Sequence, residues 1–81
     1  MKHTLHLLTR NSKPTFIEDD AAIVLMQDAV YLLLQQPAYK LLYAIKNDLL
    51  ARGLDGNNAT VIDYNELTAL TAEYDQVITW T

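Results

Sequence analysis

Residues 21–26, AAIVLM, form an unbroken apolar run that stops at Gln27 and Asp28. A run of this length without polar alternation fits a strand covered on both faces, and such strands belong to parallel sheets flanked by helices. Folds of that kind keep their ligand and partner contacts just outside the carboxyl ends of the strands. A glutamine and an aspartate at that place therefore have either a chemical or a structural task.

The rest of the chain supplies the other strands and their connections. HTLHLL (3–8) is a first strand, closed by the turn-like TRNSKP. Ser12 can cap a short helix through PTFIEDD, with Pro14 near its first turn. After the second strand, Asp28 caps a helix over AVYLLLQQ that places Val30, Leu33 and Leu34 on one face, and Pro37 closes it. YKLLYAI (39–45) is a third strand, and Asn47 or Asp48 caps DLLARGL, with Gly53 at the positive-φ position after the helix end. DGNN (55–58) is a turn and ATVI (59–62) a fourth strand. Asp63 with Glu66 three residues on makes a capping box for YNELTALTAEY, and QVITW (76–80) is a fifth strand. Strand and helix alternate with connections too long for hairpins. The expectation is a single α/β domain over 1–81, a small three-layer sandwich with a mostly parallel, about five-stranded sheet. Residues 9–12, 27–28, 46–48 and 63–64 then share its carboxyl edge.

Composition limits function more than it suggests one. A net charge of −4, with six scattered lysines and arginines, gives no basic stripe for direct binding of nucleic acid. No apolar run approaches the roughly 20 residues of a membrane helix, and MKHTLHLLTR lacks the apolar core of a signal peptide, so a cytoplasmic location is expected. A chain of 81 residues buries only roughly 60–65 % of its unfolded surface, and disulfides, metals or partners usually make up the deficit. There is no cysteine, and the two histidines, His3 and His6, leave opposite faces of one strand. Partners remain. Neither a glycine-rich phosphate loop nor a nucleophile motif is present, so no catalytic residue, cofactor or metal is assigned.

Gln27, Asp28, Lys46, Asn47, Asp48 and Asp63 together offer what a phospho-accepting receiver domain uses: carboxylates for Mg²⁺ and a lysine for the phosphoryl group. Each aspartate also precedes an apolar helical run, as an N-cap does. Both readings stand at this point, with capping first. Five tyrosines and Trp80 suit interfaces, where a large apolar body with a polar tip is favoured, and equally suit a core.

HTLH at 3–6, LMQDAV at 25–30, DLLARGL at 48–54, VIDYNEL at 61–67 and a tryptophan close to the end of the chain resemble the TusB/DsrH family of sulfur-relay proteins. The likeness runs over nearly the whole chain. Two departures stand out: the segment between the first two strands is shortened, and Ala29 replaces a frequent glycine. The resemblance implies one DsrE-like, flavodoxin-like domain. It also implies a cytoplasmic complex of three related subunits, two copies each, that passes persulfide sulfur toward 2-thiouridine at the tRNA wobble position. TusC-like and TusD-like sisters are the implied partners, with a homodimer of the isolated chain as a further alternative. Persulfide chemistry needs a thiolate, which this chain lacks, so a non-catalytic subunit closer to TusB is expected. A receiver-like or homo-oligomeric regulatory module is the alternative. The residues the likeness marks for motif or interface roles are His3, His6, Gln27, Asp28, Asp48, Arg52, Gly53, Asp63, Tyr64 and Trp80.

Overall fold

The computed structural model describes residues 4–18, 20–35, 39, 41–56 and 59–80. Its five strands are β1 (Thr4–Leu8), β2 (Ala22–Leu25), β3 (Leu41–Ile45), β4 (Thr60–Ile62) and β5 (Gln76–Trp80). They form one sheet in the order β4-β3-β2-β1-β5, every neighbouring pair parallel. The chain thus steps β1 to β4 toward one edge, then returns to lay β5 on the far side of β1. All four residues of β2, Ala22 to Leu25, are fully buried, as an apolar run at the centre of a covered sheet should be.

The pleat sorts the strand side chains onto two faces. On one, Leu8, Ile23, Leu25, Leu42 and Ala44 pack under the 3₁₀ segment Gln27–Gln35 and helix α1 (Lys46–Ala51). On the other, Leu5, Ala22, Val24, Ile45 and Ile62 pack under helix α2 (Tyr64–Thr71) through Leu67 and Leu70. The direction of progress along the sheet explains this division, since crossovers that advance the same way lie on the same face. The cover is uneven: among the described residues, the second face has one helix, with Tyr74 beyond its end. Val77 is left exposed and Leu7 half-buried.

Two helical expectations need correction. Between β1 and β2 no helix forms over the described residues; Ser12 instead closes a tight turn, its N–H donating to the Arg10 carbonyl at 2.7 Å. Length is not the reason, since residues 9–21 are as many as residues 63–75, which do hold a helix. The tight turn from Arg10 to Ser12 takes up the start of the connection, and Ile17 from it packs on the sheet. The segment after β2 is a 3₁₀ helix, in which residues three apart align. That repeat buries the pairs Ala29/Leu32 and Val30/Leu33 and turns Leu34 outward, 65 % exposed, where an α-helical spacing would have buried it. Pro37, Asn57 and Asn58 lie outside the described residues.

Other local signals act as the sequence suggests. Asp63 Oδ1 accepts from Glu66 N–H at 2.7 Å and Glu66 Oε1 accepts from Asp63 N–H at 3.0 Å, a closed capping box. Gly53 has φ of 65° and follows α1; its N–H donates to Leu50 O while Leu54 N–H donates to Leu49 O, the paired bonds of a Schellman end. Nothing stands within 4 Å of a Cβ built there, so conformation alone requires the glycine. Gly53→Ala should therefore destabilise by about 1–2 kcal/mol, and Asp63→Ala by about 0.5–2 kcal/mol. Urea unfolding of both variants checks this; an unchanged midpoint for either removes its assigned role.

Candidate functional site

The ends of β2, β3 and β4 bring five of the sequence-marked residues together around one carboxylate. Asp48 belongs to the first turn of α1, where it is not the cap: the cap position is Ile45 and no side chain caps it. Its Oδ2 instead accepts the Gln27 N–H at 2.8 Å and the Tyr64 hydroxyl at 2.7 Å. Arg52, one turn further along α1, donates through Nη1 to the Asp48 carbonyl at 3.2 Å and stands 3.8 Å from Asp48 Oδ1. Its Nε and Nη2 reach Asp28 Oδ1 at 3.2 and 2.9 Å. The expectation that Asp28 caps a helix fails for the same reason: its carboxylate receives the guanidinium and no backbone N–H among the described residues. Side chains from neighbouring loops outcompete local capping here because the parallel sheet sets those loops side by side.

Gln27 explains why the carboxylate sits there. Its φ of 51° is the one positive value among the described non-glycine residues, in a region that costs about 1–2 kcal/mol. A bond from its N–H to a charged carboxylate contributes about 1.5–3 kcal/mol, enough to hold the conformation. The kink turns the chain from β2 directly into the 3₁₀ segment. The question posed by Gln27 and Asp28 is thus answered in structural terms: both tie one strand end to the next.

Tyr64 opens α2 and closes the network on the β4 side. Its phenol is pushed up to about 12, first by burial and then by the hydrogen bond and negative charge of Asp48, with Arg52 opposing. A phenol held neutral in this way donates and does not ionise near neutral pH. Asp63 lies next to it, yet its carboxylate is engaged in the capping box. Among the described residues no three of Asp, Glu and His come together as metal ligands. The aspartates of this edge are engaged one by one, which is unlike the convergent acidic cluster of a receiver domain.

A second constellation joins β1 to β5. His6, buried in β1, accepts at Nδ1 from Trp80 Nε1–H at 2.8 Å, and its Nε2 lies 3.0 Å from Glu18 Oε2. An indole nitrogen only donates, so Nδ1 is the acceptor and the ring hydrogen sits on Nε2, facing the carboxylate. Parallel pairing sets Trp80 opposite Leu8 and its ring 6.0 Å, centre to centre, from the imidazole. Thr9 Oγ1 donates to the Trp80 carbonyl at 3.0 Å and extends the join past the strand. Glu18 was missing from the sequence-based set, and no local signal marks it: it lies twelve residues from His6, in a stretch whose composition suggests a helix. His3 lies outside the described residues. Gly53 stands apart from both groups and acts through its backbone.

Fold and site together define a small parallel α/β domain of the flavodoxin-like kind whose strand-end polar groups bind one another. A match to the family of DsrH-like proteins covers residues 11–77. Protein TusB of Pectobacterium parmentieri is 34 % identical over 75 residues, covering 79 % of this chain and 79 % of that protein. Protein TusB of Photorhabdus laumondii is 34 % identical over 77 residues, covering 91 % of this chain and 80 % of that protein. The chain belongs to the TusB/DsrH family.

The raised Tyr64 acidity constant has a pH consequence. Between its ordinary value of 10.0 and about 12, the unfolded phenol loses its proton while the folded one keeps it. The stabilisation is complete below pH 10 and falls away as pH rises through about 12. Wild type should therefore lose stability relative to Tyr64→Phe across that window, as urea midpoints at its two ends would show. In Asp48→Ala the phenol should titrate lower by ultraviolet absorbance, although burial keeps part of the shift. The same variant should unfold roughly 1.5–3 kcal/mol more easily. A phenol unmoved by that substitution would remove Asp48 as its partner.

Proposed function

We propose that this chain is a non-catalytic subunit of a cytoplasmic sulfur-relay complex that supplies sulfur for 2-thiouridine at the tRNA wobble position. The observation that carries the reading is chemical: a TusB/DsrH-family domain whose 81 residues contain no cysteine. Persulfide is held on a cysteine sulfur, and the two methionines are thioethers that cannot substitute. Its contribution is then to hold a cysteine-bearing sister in place, where a misplacement of about 1 Å can cost roughly a hundredfold in rate. TusC-like and TusD-like chains, two copies of each with two of this one, are the partners this reading takes.

Three features support an assembling role. The engaged carboxylates of the strand-end network favour rigidity over acid–base work. The α2 face is thinly covered, with Val77 exposed at one edge of the sheet. Phe16, Leu34 and Leu50 are also largely exposed, which gives apolar area for contact with other chains.

Radiolabelled sulfur transfer from a persulfide donor tests the proposal with this chain alone, with the two sisters alone, and with all three. No label should stay on the isolated chain, and transfer should require its presence beside the sisters. Label retained by the chain refutes the chemical premise. Undiminished transfer by the sisters alone refutes the structural role.

A further inference from the structure

The order of strands reverses its progress once, between β1 and β5, and the carboxyl ends at such a reversal leave a crevice that neighbouring crossovers do not fill. A pocket of about 170 Å³ opens there, lined by Leu8, Arg10, Ser12, Lys13, Pro14 and Trp80. Leu8 is buried, Pro14 and Trp80 are half-buried, and Arg10, Ser12 and Lys13 are exposed around them. The missing crossover helix is the cause: the short turn closed by Ser12 N–H and Arg10 O sets two cations, three residues apart, on one small opening.

The charges there are unbalanced. The chain carries −4 overall with six lysines and arginines, and two of the six border this pocket. Arg52 is bound by Asp28 and Asp48, whereas Arg10 and Lys13 have no carboxylate in ion-pair reach among the described residues. Glu18 is the nearby acid in sequence, and it faces His6 Nε2. The Ser12 hydroxyl makes no hydrogen bond to a described residue. The two cations repel each other until an anion enters, the hydroxyl can donate to that anion, and the low-dielectric side chains beside them strengthen the attraction. The wall itself is fixed, since the Trp80 indole is held by His6, and His6 by Glu18.

We propose that this pocket binds an anionic group carried on a short apolar or aromatic stem, a phosphate monoester or a carboxylate. Arg10 and Lys13 are its counter-ions, Ser12 Oγ is a donor, and Trp80 with Leu8 receives the stem. The volume suits a small ring, since a cavity of about 150 Å³ accommodates benzene. The site is independent of the sulfur-relay reading, because it uses neither a thiol nor a sister subunit.

Trp80 is the single tryptophan, so its fluorescence reports occupancy directly. Phenyl phosphate, benzoate, inorganic phosphate and benzyl alcohol are titrated into wild type and into an Arg10→Gln, Lys13→Gln double variant. Circular dichroism and the unfolding midpoint confirm that the variant, altered only at exposed positions, keeps its fold; single variants serve if it does not. Saturable binding of at least one aryl anion is expected, and the tighter of the two identifies phosphate or carboxylate as the preferred group. That affinity should fall about tenfold or more in the double variant. Inorganic phosphate should bind about tenfold more weakly than the preferred aryl anion, and benzyl alcohol should not saturate. Failure of both aryl anions to bind, or equal affinity in the double variant, overturns the site. Equal binding of benzyl alcohol overturns the charge recognition, and equal binding of inorganic phosphate overturns the role of the apolar wall.

Discussion

The complete burial of β2 governs the rest of the architecture. Ala22, Ile23, Val24 and Leu25 have no contact with water, and each large side chain among them contributes about 1.5–3 kcal/mol only while both faces of the sheet remain covered. In a chain of this length the cover must come from connections that themselves cross the sheet, so strands are laid down in parallel and their carboxyl ends gather on one edge. Among the described residues, one face receives the 3₁₀ segment, α1 and Ile17; the other receives α2, with Tyr74 beyond its end. The uneven cover follows from a chain that advances three times in one direction and returns once. It leaves Val77 exposed and Leu7 half-buried at that edge.

What the sequence revealed and what it hid divide by distance along the chain. The apolar run of β2, the alternation of QVITW, the Asp63–Glu66 box and Gly53 are local signals whose physical causes lie within a few residues, and each was legible. The role of Asp48 was not, because its partners Gln27 and Tyr64 are 21 and 16 residues away. Cap preference is a local rule, and a strand-end aspartate satisfies its pattern whether its carboxylate turns to its own helix or to a neighbour's backbone. Leu34 misled for a related reason: Leu32, Leu33 and Leu34 are apolar together, so only the helical pitch decides which face outward. The TusB/DsrH resemblance was legible because its motifs are these same strand ends and helix caps.

His6 shows how a chemically suggestive residue becomes structural. A buried histidine beside a glutamate resembles a catalytic base and its orienting acid. Here the other ring nitrogen is occupied by an indole N–H that can only donate, so neither nitrogen is presented to a substrate. The chain Trp80–His6–Glu18 instead joins the last strand to the first and to the loop that follows it. That join matters because β5 is an edge strand with one neighbour, and its side chain at 80 would otherwise be free to swing.

The two halves of the carboxyl edge are consequently different in kind. At β2, β3 and β4 the central charges are matched: Asp28 and Asp48 hold Arg52, and Gln27 and Tyr64 complete the shell of Asp48. A network so connected resists rearrangement and has little affinity left for a ligand. At β1 and β5 the polar groups of the join are likewise closed, but the cations above it are open, beside Leu8 and Trp80. Electrostatic energy that is already compensated within the fold stabilises it, and energy left uncompensated is available to a binding partner. By that argument the reversal point between β1 and β5 is where this domain recognises an anion, and the neighbouring strand ends are what keep it in shape.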